Sequence, residues 1–308
     1  MVSPIRKVVF PVAGLGTRFL PATRAVPKEM IPVVDKPLIQ YAVEEAAKAG
    51  ITDMVFVTAA GKEAIMNHFD YSYELWNELQ SKGKKELLDV VRSICPPGVH
   101  LIFTRQYSPK GLGDAVLCAK PVIGDSPFAV ILPDDLVDSP SSCIGELIAK
   151  REEKGGGNVV AVQNVPRDKT NLYGIASVKA DAPESVIGLV EKPKPEVAPS
   201  TLAVIGRYVF EPSIFDYLEK VTPGAGGEIQ LTDAMAEYAR SYGGMTAVTL
   251  EENLGSFADT AQLSAYAIQA MNWAVGQGLI NGSGSNLVPK AQATRAQVAA
   301  IIHRYLER

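Results

Sequence analysis

The sequence is poor in cysteine and has no long apolar run. Its three cysteines (Cys95, Cys118 and Cys143) lack CxxC spacing, which is typical of reduced structural thiols rather than of a disulfide framework or a metal site. No apolar stretch approaches the roughly 18 residues that a membrane span needs. The apolar N-terminal segment is broken by Pro11 and Gly14, which argues against a signal peptide. We therefore expect a cytoplasmic protein that binds no membrane.

The chain also lacks the positive charge of a nucleic-acid-binding protein. With 30 basic and 34 acidic residues, its formal net charge is −4, so it has no general attraction for nucleic acids. Any affinity for phosphate must come from local clusters. The three histidines (His68, His100 and His303) form no recognisable catalytic arrangement. The length of 308 residues, 47% apolar and 21% charged, is typical of a globular protein with one large or two ordinary domains.

Strand-like and helix-like segments alternate through the first half of the chain. The predicted strands are Lys7–Val12, Met54–Thr58, Leu101–Arg105, Phe128–Leu132 and Val159–Val165. The predicted helices are Leu38–Ala49, Lys62–His68, Tyr73–Lys82, Glu86–Ser93, Asp114–Lys120 and Ile144–Lys154. This alternation predicts a mostly parallel sheet covered by helices on both faces. Residues 173–210 are strand-rich, and the pattern then predicts helices Pro212–Leu218 and Leu231–Arg240 and a strand near Met245–Leu250.

A glycine-rich turn follows the first predicted strand. The segment AGLGTR (13–18) comes directly after it, and Lys28 and Glu29 follow in a stretch punctuated by prolines. Glycines at this place let the backbone approach a phosphate, and Arg18 and Lys28 are cations suited to polyphosphate. A bare GxG is more often an ordinary turn beside solvated cations. The longer string, however, resembles the signature of nucleotidyltransferases that act on sugar 1-phosphates.

A pair of aspartates ends another predicted strand. In LPDD (132–135) a carboxylate at the strand tip is placed to hold Mg²⁺ against a nucleotide. The alternative is a surface pair that starts a turn. Because the Gly14 turn is expected at the same edge of the sheet, we favour the metal site, with Asp134 rather than Asp135 as the ligand.

Three further segments carry polar residues at strand ends. In RQYSPKGLGDA (105–115), Gln106 offers a donor and an acceptor to a pyrimidine edge, and the glycines leave room for a base or ribose. An ordinary turn would explain the glycines but not the glutamine. In LVEKP (189–193), Lys192 could neutralise a sugar phosphate and Glu191 could accept hydrogen bonds from sugar hydroxyls, or the two could form an exposed, weak ion pair. In GGEIQLTD (226–233), Thr232 or Asp233 could merely cap a helix, whereas Glu228 is less easily explained.

Together these segments resemble the bacterial UTP–glucose-1-phosphate uridylyltransferase family over residues 5–250. The resemblance implies the nucleotidyltransferase fold, an α/β fold with a Rossmann-like, mostly parallel mixed sheet flanked by helices. Residues 68–91 look like an insertion that is typical of this family and absent from the shorter thymidylyltransferases. This insertion favours UTP as the nucleotide.

The resemblance also implies roles for the motif residues. Uridine would be surrounded by Ala13, Gly14, Glu29, Gln106 and Gly111, with Gly16 and Thr17 in the same nucleotide loop. The triphosphate would be held by Arg18 and Lys28, and Mg²⁺ by Asp134. Glucose and its phosphate would be bound by Gly174, Glu191, Lys192 and Glu228.

The implied reaction is attack by an oxygen of glucose 1-phosphate on the α-phosphorus of UTP, which expels pyrophosphate and gives UDP-glucose. A phosphate is already a competent nucleophile, so no activated Ser, Cys or His is required. Catalysis would rest on positioning and on charge neutralisation by Mg²⁺, Arg18, Lys28 and Lys192. A thymidylyl- or other sugar-1-phosphate nucleotidyltransferase is the alternative within this class.

The resemblance changes near the C-terminus. In the family, an aspartate in a Y-D-[CT]-G-x-K-L-G-Y segment completes the metal site, whereas here Asp259-Thr260 lacks the following Gly and Lys. Asp259 is accordingly the candidate second metal ligand. Residues 256–308 instead resemble a single S-layer homology motif. We therefore expect a nucleotidyltransferase domain (1–255) followed by a helix–loop–helix segment (256–308).

The pattern of this C-terminal segment is that of two helices. The apolar stripes are Ile268, Met271 and Val275 on the first helix and Val298, Ile301, Ile302 and Tyr305 on the second. Thr294 and Gln297 have capping-box spacing. Exported proteins with several such motifs bind cell-wall polysaccharide, but with one copy and no export signal we do not expect this here. A homo-oligomer is compatible with the sequence. An inactive scaffold or wall-binding protein is the alternative from a different functional class.

Overall fold

The computed structural model describes residues 2–137, 142–224, 227–250, 257–264, 267, 271, 274–275 and 278–306. The chain forms two compact units, one of residues 1–136 and 142–249 and the other of residues 137–141 and 250–308. The predicted junction after residue 255 lies outside the described residues. None of the helices in the described part of the chain combines the length and hydropathy that a membrane crossing requires.

The elements of the first unit follow one another in the alternating order that the sequence predicts. Its strands are β1 (Lys7–Pro11), β2 (Pro32–Val33), β3 (Lys36–Pro37), β4 (Asp53–Thr58), β5 (His100–Arg105), β6 (Phe128–Ile131), β7 (Val159–Asn164), β8 (Gly174–Lys179), β9 (Ala182–Glu191), β10 (Leu202–Phe210) and β11 (Met245–Thr249). Its helices are α1 (Leu38–Lys48), α2 (Glu63–Phe69), α3 (Tyr73–Ser81), α4 (Lys85–Ser93), α5 (Leu112–Leu117), α6 (Lys120–Ile123), α7 (Cys143–Glu153), α8 (Ile214–Leu218) and α9 (Leu231–Tyr242). The second unit contains α10 (Arg295–Leu306).

The five predicted strands of the first half are confirmed, each end lying within one residue of the prediction. One predicted helix is wrong, because Asp114–Lys120 is divided between α5 and α6. Pro121 lies in the first turn of α6. The Ala119 N–H donates to the carbonyl oxygen of Val116 (3.0 Å), only three residues earlier, so α5 ends in a tighter turn before Pro121 starts the next helix.

A nine-stranded mixed sheet forms the first unit, in the order β5-β4-β1-β6-β10-β7-β11-β9-β8. Strands β5, β4, β1 and β6 are parallel. Strand β10 then runs antiparallel to both β6 and β7, and β8 pairs antiparallel with β9. Because the carboxyl ends of parallel strands meet at one edge, the loops after β1, β5 and β6 share that edge. The expected mixed sheet is confirmed, and it places three predicted motifs together.

Burial on both faces explains why the strands of this half of the sheet have continuous apolar sequences. The residues of β6 are all buried, as are Val8, Val9 and Phe10 of β1, which is typical of parallel strands covered on both faces. The rings of Phe10 and Phe56 stack with centroids 5.0 Å apart across β1 and β4. Helix α1 buries Ile39 and Val43 at helical spacing. This rigid core fixes the loops at its edge.

The described part of the second unit is organised around a tight turn. Gly282 has φ 67°, and a Cβ there would collide with the ring of Phe257 and lie 2.7 Å from the carbonyl oxygen of Asn286. The Asp259 carboxylate accepts hydrogen bonds from the main-chain N–H groups of Leu287 (2.7 Å) and Val288 (2.8 Å). These contacts explain why the segment needs glycine, aromatic and aspartate at these positions.

Helix α10 begins with the predicted capping box. The N–H of Gln297 donates to Thr294 Oγ1 (3.2 Å), and the N–H of Thr294 donates to Gln297 Oε1 (2.8 Å). The apolar stripe of this helix is exposed at Val298 (44%), Ile302 (52%) and Tyr305 (58%). The other predicted stripe includes Ile268, which lies outside the described residues.

Candidate active site

The turn after β1 is folded tightly against the chain that follows it. Gly16 has left-handed backbone geometry, with φ 67°. A Cβ there would lie 3.2 Å from Thr23 Cγ2 and 3.3 Å from Lys28 Cβ, and Thr23 Oγ1 donates to the Gly16 carbonyl oxygen (2.7 Å). The second glycine of the predicted nucleotide loop is therefore required by both its backbone angle and its close neighbours.

The two cations of this loop differ in exposure and in pairing. Arg18 is exposed, and no hydrogen bond or ion pair joins its side chain to another described residue. Lys28 is partly buried, and its Nζ lies 2.6 Å from Asp134 Oδ2. A Cβ on Gly14 would lie 4.0 Å from the same Nζ. The structure thus brings together Gly14, Lys28 and Asp134 from the loops after β1 and β6.

The turn that carries Asp134 is anchored by a buried arginine. Arg207 of β10 is 2% exposed, and its guanidinium donates to the carbonyl oxygens of Leu132 (3.2 Å) and Asp135. The same guanidinium pairs with Glu45 of α1, with Nη2 and Oε2 2.7 Å apart. Sequence reasoning missed Arg207. The available signal was a single charge within the otherwise apolar strand LAVIGRYVF.

Gly206 leaves space for the turn that carries Asp134, so its replacement should destabilise the fold. It has φ +59°, and a Cβ would lie 2.5 Å from Asp135 Oδ2 and 3.0 Å from Leu132 Cβ. We expect Gly206→Ala to lower the free energy of unfolding by about 2–4 kcal/mol, from backbone strain plus steric contact. Gly155→Ala is the control, since Gly155 has φ +78° with nothing within 4 Å of its Cβ position. Urea unfolding measures both variants. An equal loss of unfolding free energy in the two would contradict the steric contact between a side chain at Gly206 and the turn of Asp134.

Glu29, which follows Lys28 in the chain, forms a buried ion pair that the sequence did not reveal. Its side chain is fully buried, and its Oε2 lies 2.8 Å from Lys62 Nζ. Burial raises the pKa of Glu29, while the charge and hydrogen bond of Lys62 act in the opposite direction. Oε1 of Glu29 has no hydrogen-bond partner among the described residues. Lys62 is therefore a missed residue of this region.

Gln106 is fixed in the loop after β5. Its Nε2 donates to the carbonyl oxygen of Gly111 (3.1 Å) and to Asp114 Oδ2 (2.7 Å). Both partners are acceptors, so the amide orientation is determined and both of its hydrogens are used. The acceptor oxygen is what this side chain still offers to a ligand.

Gly111 requires the absence of a side chain. It has φ +96°, and a Cβ would lie 2.8 Å from the carbonyl oxygen of Ile229 and 2.9 Å from Glu228 Cβ. The segment of Glu228 and Ile229 is tied to this loop, because Ile229 N–H donates to the Lys110 carbonyl oxygen (2.7 Å). The structure thus places Glu228 beside Gly111 of the loop after β5.

A second group of predicted residues meets at the ends of β8 and β9. Gly174 is the register partner of Glu191, and Lys192 Nζ lies 3.0 Å from Glu191 Oε1. Thr232 Oγ1 donates to Glu191 Oε2 (2.7 Å), and a Cβ on Gly174 would lie 3.1 Å from that hydroxyl. Helix α9 starts after Gln230 without a side-chain cap. Thr232 therefore orients Glu191 rather than capping the helix, a role that sequence reasoning missed.

Tyr208 lies on β10, the strand between the two groups. This residue is buried beside Val130 of β6 and Val160 of β7. Burial raises the pKa of its phenol, and the negative charges of Asp135, Glu191 and Asp134 raise it further. Strand β10 itself reaches both groups, because it pairs with β8 next to Gly174 and because its Arg207 bonds the turn of Asp134. The two groups therefore lie along one strand of the first unit.

The metal-ligand candidates differ in their surroundings. Asp134 is exposed enough to meet a ligand and is paired with Lys28. Asp259 belongs to the second unit, where hydrogen bonds from main-chain N–H groups, that of Leu287 above all, lower its pKa. No cluster of three or more His, Cys, Asp or Glu side chains suited to a metal occurs among the described residues. Mg²⁺ on a nucleotide, however, needs only one or two protein carboxylates.

The chain resembles known proteins over most of its length. The Nucleotidyl transferase family matches residues 7–273, and the S-layer homology domain matches residues 256–299. The UTP–glucose-1-phosphate uridylyltransferase of Komagataeibacter xylinus is 50% identical over 240 residues, which cover 77% of this chain and 84% of the relative. That of Escherichia coli strain K12 is 52% identical over 241 residues, covering 75% and 79%.

A crystal structure of UDP-glucose pyrophosphorylase complexed with UDP-glucose has a similar fold. It superimposes with a TM-score of 0.71 at 40% sequence identity, covering 80% of this chain and 90% of the other. The relatives and the solved structure each match three quarters or more of this chain. The chain belongs to the UTP–glucose-1-phosphate uridylyltransferase family of nucleotidyl transferases.

Proposed function

We propose that this protein transfers the uridylyl group of UTP to glucose 1-phosphate, forming UDP-glucose and pyrophosphate. The observation that carries the proposal is the meeting of Lys28, Asp134 and the Gly14 turn at the carboxyl edge of the parallel strands. An edge of this kind is where α/β sheets bind nucleotides. Membership in the uridylyltransferase family supports UTP and glucose 1-phosphate as the substrates.

The nucleotide would lie along the loops after β1 and β5. Ala13 and Gly14 would border the uridine, and the phosphates would approach the main chain where this turn continues through Gly16 and Thr17. The uracil N3–H is a donor, and Gln106 retains only an acceptor, so the two are complementary. Gly111, packed against Glu228 and Ile229, and Glu29, whose buried side chain pairs with Lys62, would support the proposed uridine site from within the protein.

Asp134 is the proposed ligand of Mg²⁺, and its surroundings fit a cation. The ammonium of Lys28 already lies 2.6 Å from its carboxylate, so a positive charge is accommodated at this position. When bound, Mg²⁺ would neutralise charge on the triphosphate and on the departing pyrophosphate. For Asp259, the predicted second ligand, the structure describes contacts within the second unit, where each carboxylate oxygen accepts a main-chain N–H.

The protein's own part in the reaction is to align the reactants and to balance their charge. An oxygen of glucose 1-phosphate forms a bond to the α-phosphorus as the bond to the bridging oxygen breaks, and pyrophosphate leaves with that electron pair. Arg18 and Lys28 would face the triphosphate, and Lys192 would face the sugar phosphate. Glu191, held by Thr232, would accept hydrogen bonds from glucose hydroxyls beside Gly174.

The decisive experiment is incubation with UTP, glucose 1-phosphate and Mg²⁺, with pyrophosphate measured over time. We expect turnover with UTP and much slower turnover with dTTP. Activity with dTTP but not UTP would make the protein a thymidylyltransferase. No turnover with any nucleotide, together with binding to cell-wall polysaccharide, would support an inactive wall-binding protein, the alternative to which the S-layer homology match points.

The setting of this activity is also a proposal. We place it in the cytoplasm, which is supported by three free thiols and a nucleotide substrate. We propose no nucleic-acid partner and no polysaccharide partner. Gel filtration with light scattering would show whether the protein forms a homo-oligomer.

Thr232→Val provides a specific test of the sugar side. The change keeps the shape of the side chain but removes the hydroxyl that donates to Glu191 Oε2 (2.7 Å). We expect KM for glucose 1-phosphate to rise about fivefold, the equivalent of one hydrogen bond, with KM for UTP unchanged. Thr201→Val removes an exposed hydroxyl that bonds Asn164 and serves as the control. An equal rise in both KM values would contradict the assignment.

A further inference from the structure

Lys28 and Asp134, which are proposed to bind different parts of the metal–nucleotide complex, form an ion pair with each other. Lys28 is proposed to hold phosphate and Asp134 to hold a metal ion, yet Nζ and Oδ2 lie 2.6 Å apart. Their side chains are 19% and 37% exposed, so both groups are partly shielded and reachable by a ligand. Each charge neutralises the other while no substrate is bound.

Either ligand alone would replace only one half of this pair. Free UTP would engage Lys28 and leave the Asp134 carboxylate unpaired beside a polyanion. A lone divalent cation would engage Asp134 and leave the Lys28 ammonium beside another positive charge. A metal-bound triphosphate supplies both replacements at once, an anion for Lys28 and a cation for Asp134.

We propose that the Lys28–Asp134 pair makes this site selective for the metal-complexed nucleotide over free nucleotide or free metal. The inference rests on the proposed function and assigns to these two residues a specificity role in addition to their contacts with substrate. Their positions are maintained independently of the pair. The turn of Asp134 is anchored through Arg207, and Lys28 is packed against Gly16. Breaking the pair therefore changes charge without dismantling the site.

Isothermal titration calorimetry with UTP, in EDTA and in excess Mg²⁺, tests the proposed selectivity against free nucleotide. Asp134→Asn removes the partner of Lys28 and should bind metal-free UTP roughly fivefold tighter than the wild type, the equivalent of one partly exposed ion pair. The gain from Mg²⁺ should be reduced in this variant. Glu44→Gln breaks the Lys36–Glu44 pair (3.0 Å) elsewhere and should bind as the wild type does.

The variant Asp135→Asn distinguishes the effect of breaking the Lys28–Asp134 pair from the effect of removing one negative charge near the site. Asp135 is the neighbouring acid, but its carboxylate lies against Gly206 and no described ion pair joins it to Lys28. If the pair is responsible, Asp135→Asn should improve metal-free UTP binding much less than Asp134→Asn. Equal improvement in both variants would overturn the proposal in favour of a simple charge effect.

Titration of Mn²⁺ without nucleotide, followed by electron paramagnetic resonance, tests the proposed selectivity against free metal. Lys28→Met should bind Mn²⁺ roughly fivefold tighter than the wild type, and Lys36→Met should not. Unchanged Mn²⁺ affinity, with unchanged metal-free UTP affinity in Asp134→Asn, would overturn the proposal. If the wild type instead fails to bind UTP with Mg²⁺ and releases no pyrophosphate, the proposed function itself fails.

Discussion

Replacement of Arg18 by alanine is expected to lower kcat/KM for the forward reaction about 10²- to 10³-fold, as loss of a transition-state charge contact does. The side chain is exposed and has no partner among the described residues, so nothing in the fold depends on it. Its loss should therefore leave thermal unfolding unchanged. Initial rates of pyrophosphate release, measured over a range of UTP concentrations, provide the test.

The control for Arg18 is an arginine of similar exposure away from the site. Arg240 is exposed on α9 and pairs with Glu237 on the same helix. Arg240→Ala should retain the wild-type rate. If Arg18→Ala also retains it, the loop after β1 does not contact the triphosphate in the proposed way.

Replacement of Lys62 by methionine is expected to lower the free energy of unfolding by about 3–5 kcal/mol at neutral pH, because removing one member of a buried ion pair leaves the other uncompensated. Here the remaining group is Glu29, which is fully buried and has one oxygen without a hydrogen-bond partner among the described residues. Urea unfolding of the variant and the wild type measures the difference. Lys36→Met, at a pair in which both side chains are about one-third exposed, should cost less than about 1 kcal/mol.

This loss should depend on pH in a defined direction. Burial raises the pKa of Glu29, and without Lys62 the charge and hydrogen bond that oppose this rise are gone. A carboxyl whose folded pKa lies above its unfolded value is most favourable to folding below the unfolded pKa, and that stability is lost as pH rises through the folded pKa. The deficit of Lys62→Met should therefore shrink as pH falls toward about 4. A deficit that does not change with pH would contradict a buried carboxylate as its cause.

The sequence predicted the strands of the first half because their apolar runs are short, continuous and bounded by polar residues. It also predicted that the Gly14 turn and Asp134 would be close, since the topological rule for parallel sheets depends only on strand order. Lys28 and Asp134 are 106 residues apart, yet both follow strands that end at the same edge. For these residues, local pattern and topology were sufficient.

The supporting residues could not be predicted in the same way. Glu45 and Arg207 are 162 residues apart, and Glu191 and Thr232 are 41 residues apart. Neither pair has a spacing rule, because the partners meet through the packing of whole elements. Lys62 was interpreted only as the start of a helix, although its side chain reaches back to Glu29. Such partners become visible only when the elements are assembled.

The exchange of radiolabelled pyrophosphate into UTP tests the central claim, direct transfer between two substrates gathered in one site, most directly. With Mg²⁺ and UTP but neither glucose 1-phosphate nor UDP-glucose, we expect no label in UTP, because no uridylyl-enzyme forms. Addition of glucose 1-phosphate should start the exchange. Rapid exchange in the absence of any sugar phosphate would show a covalent intermediate and contradict direct transfer.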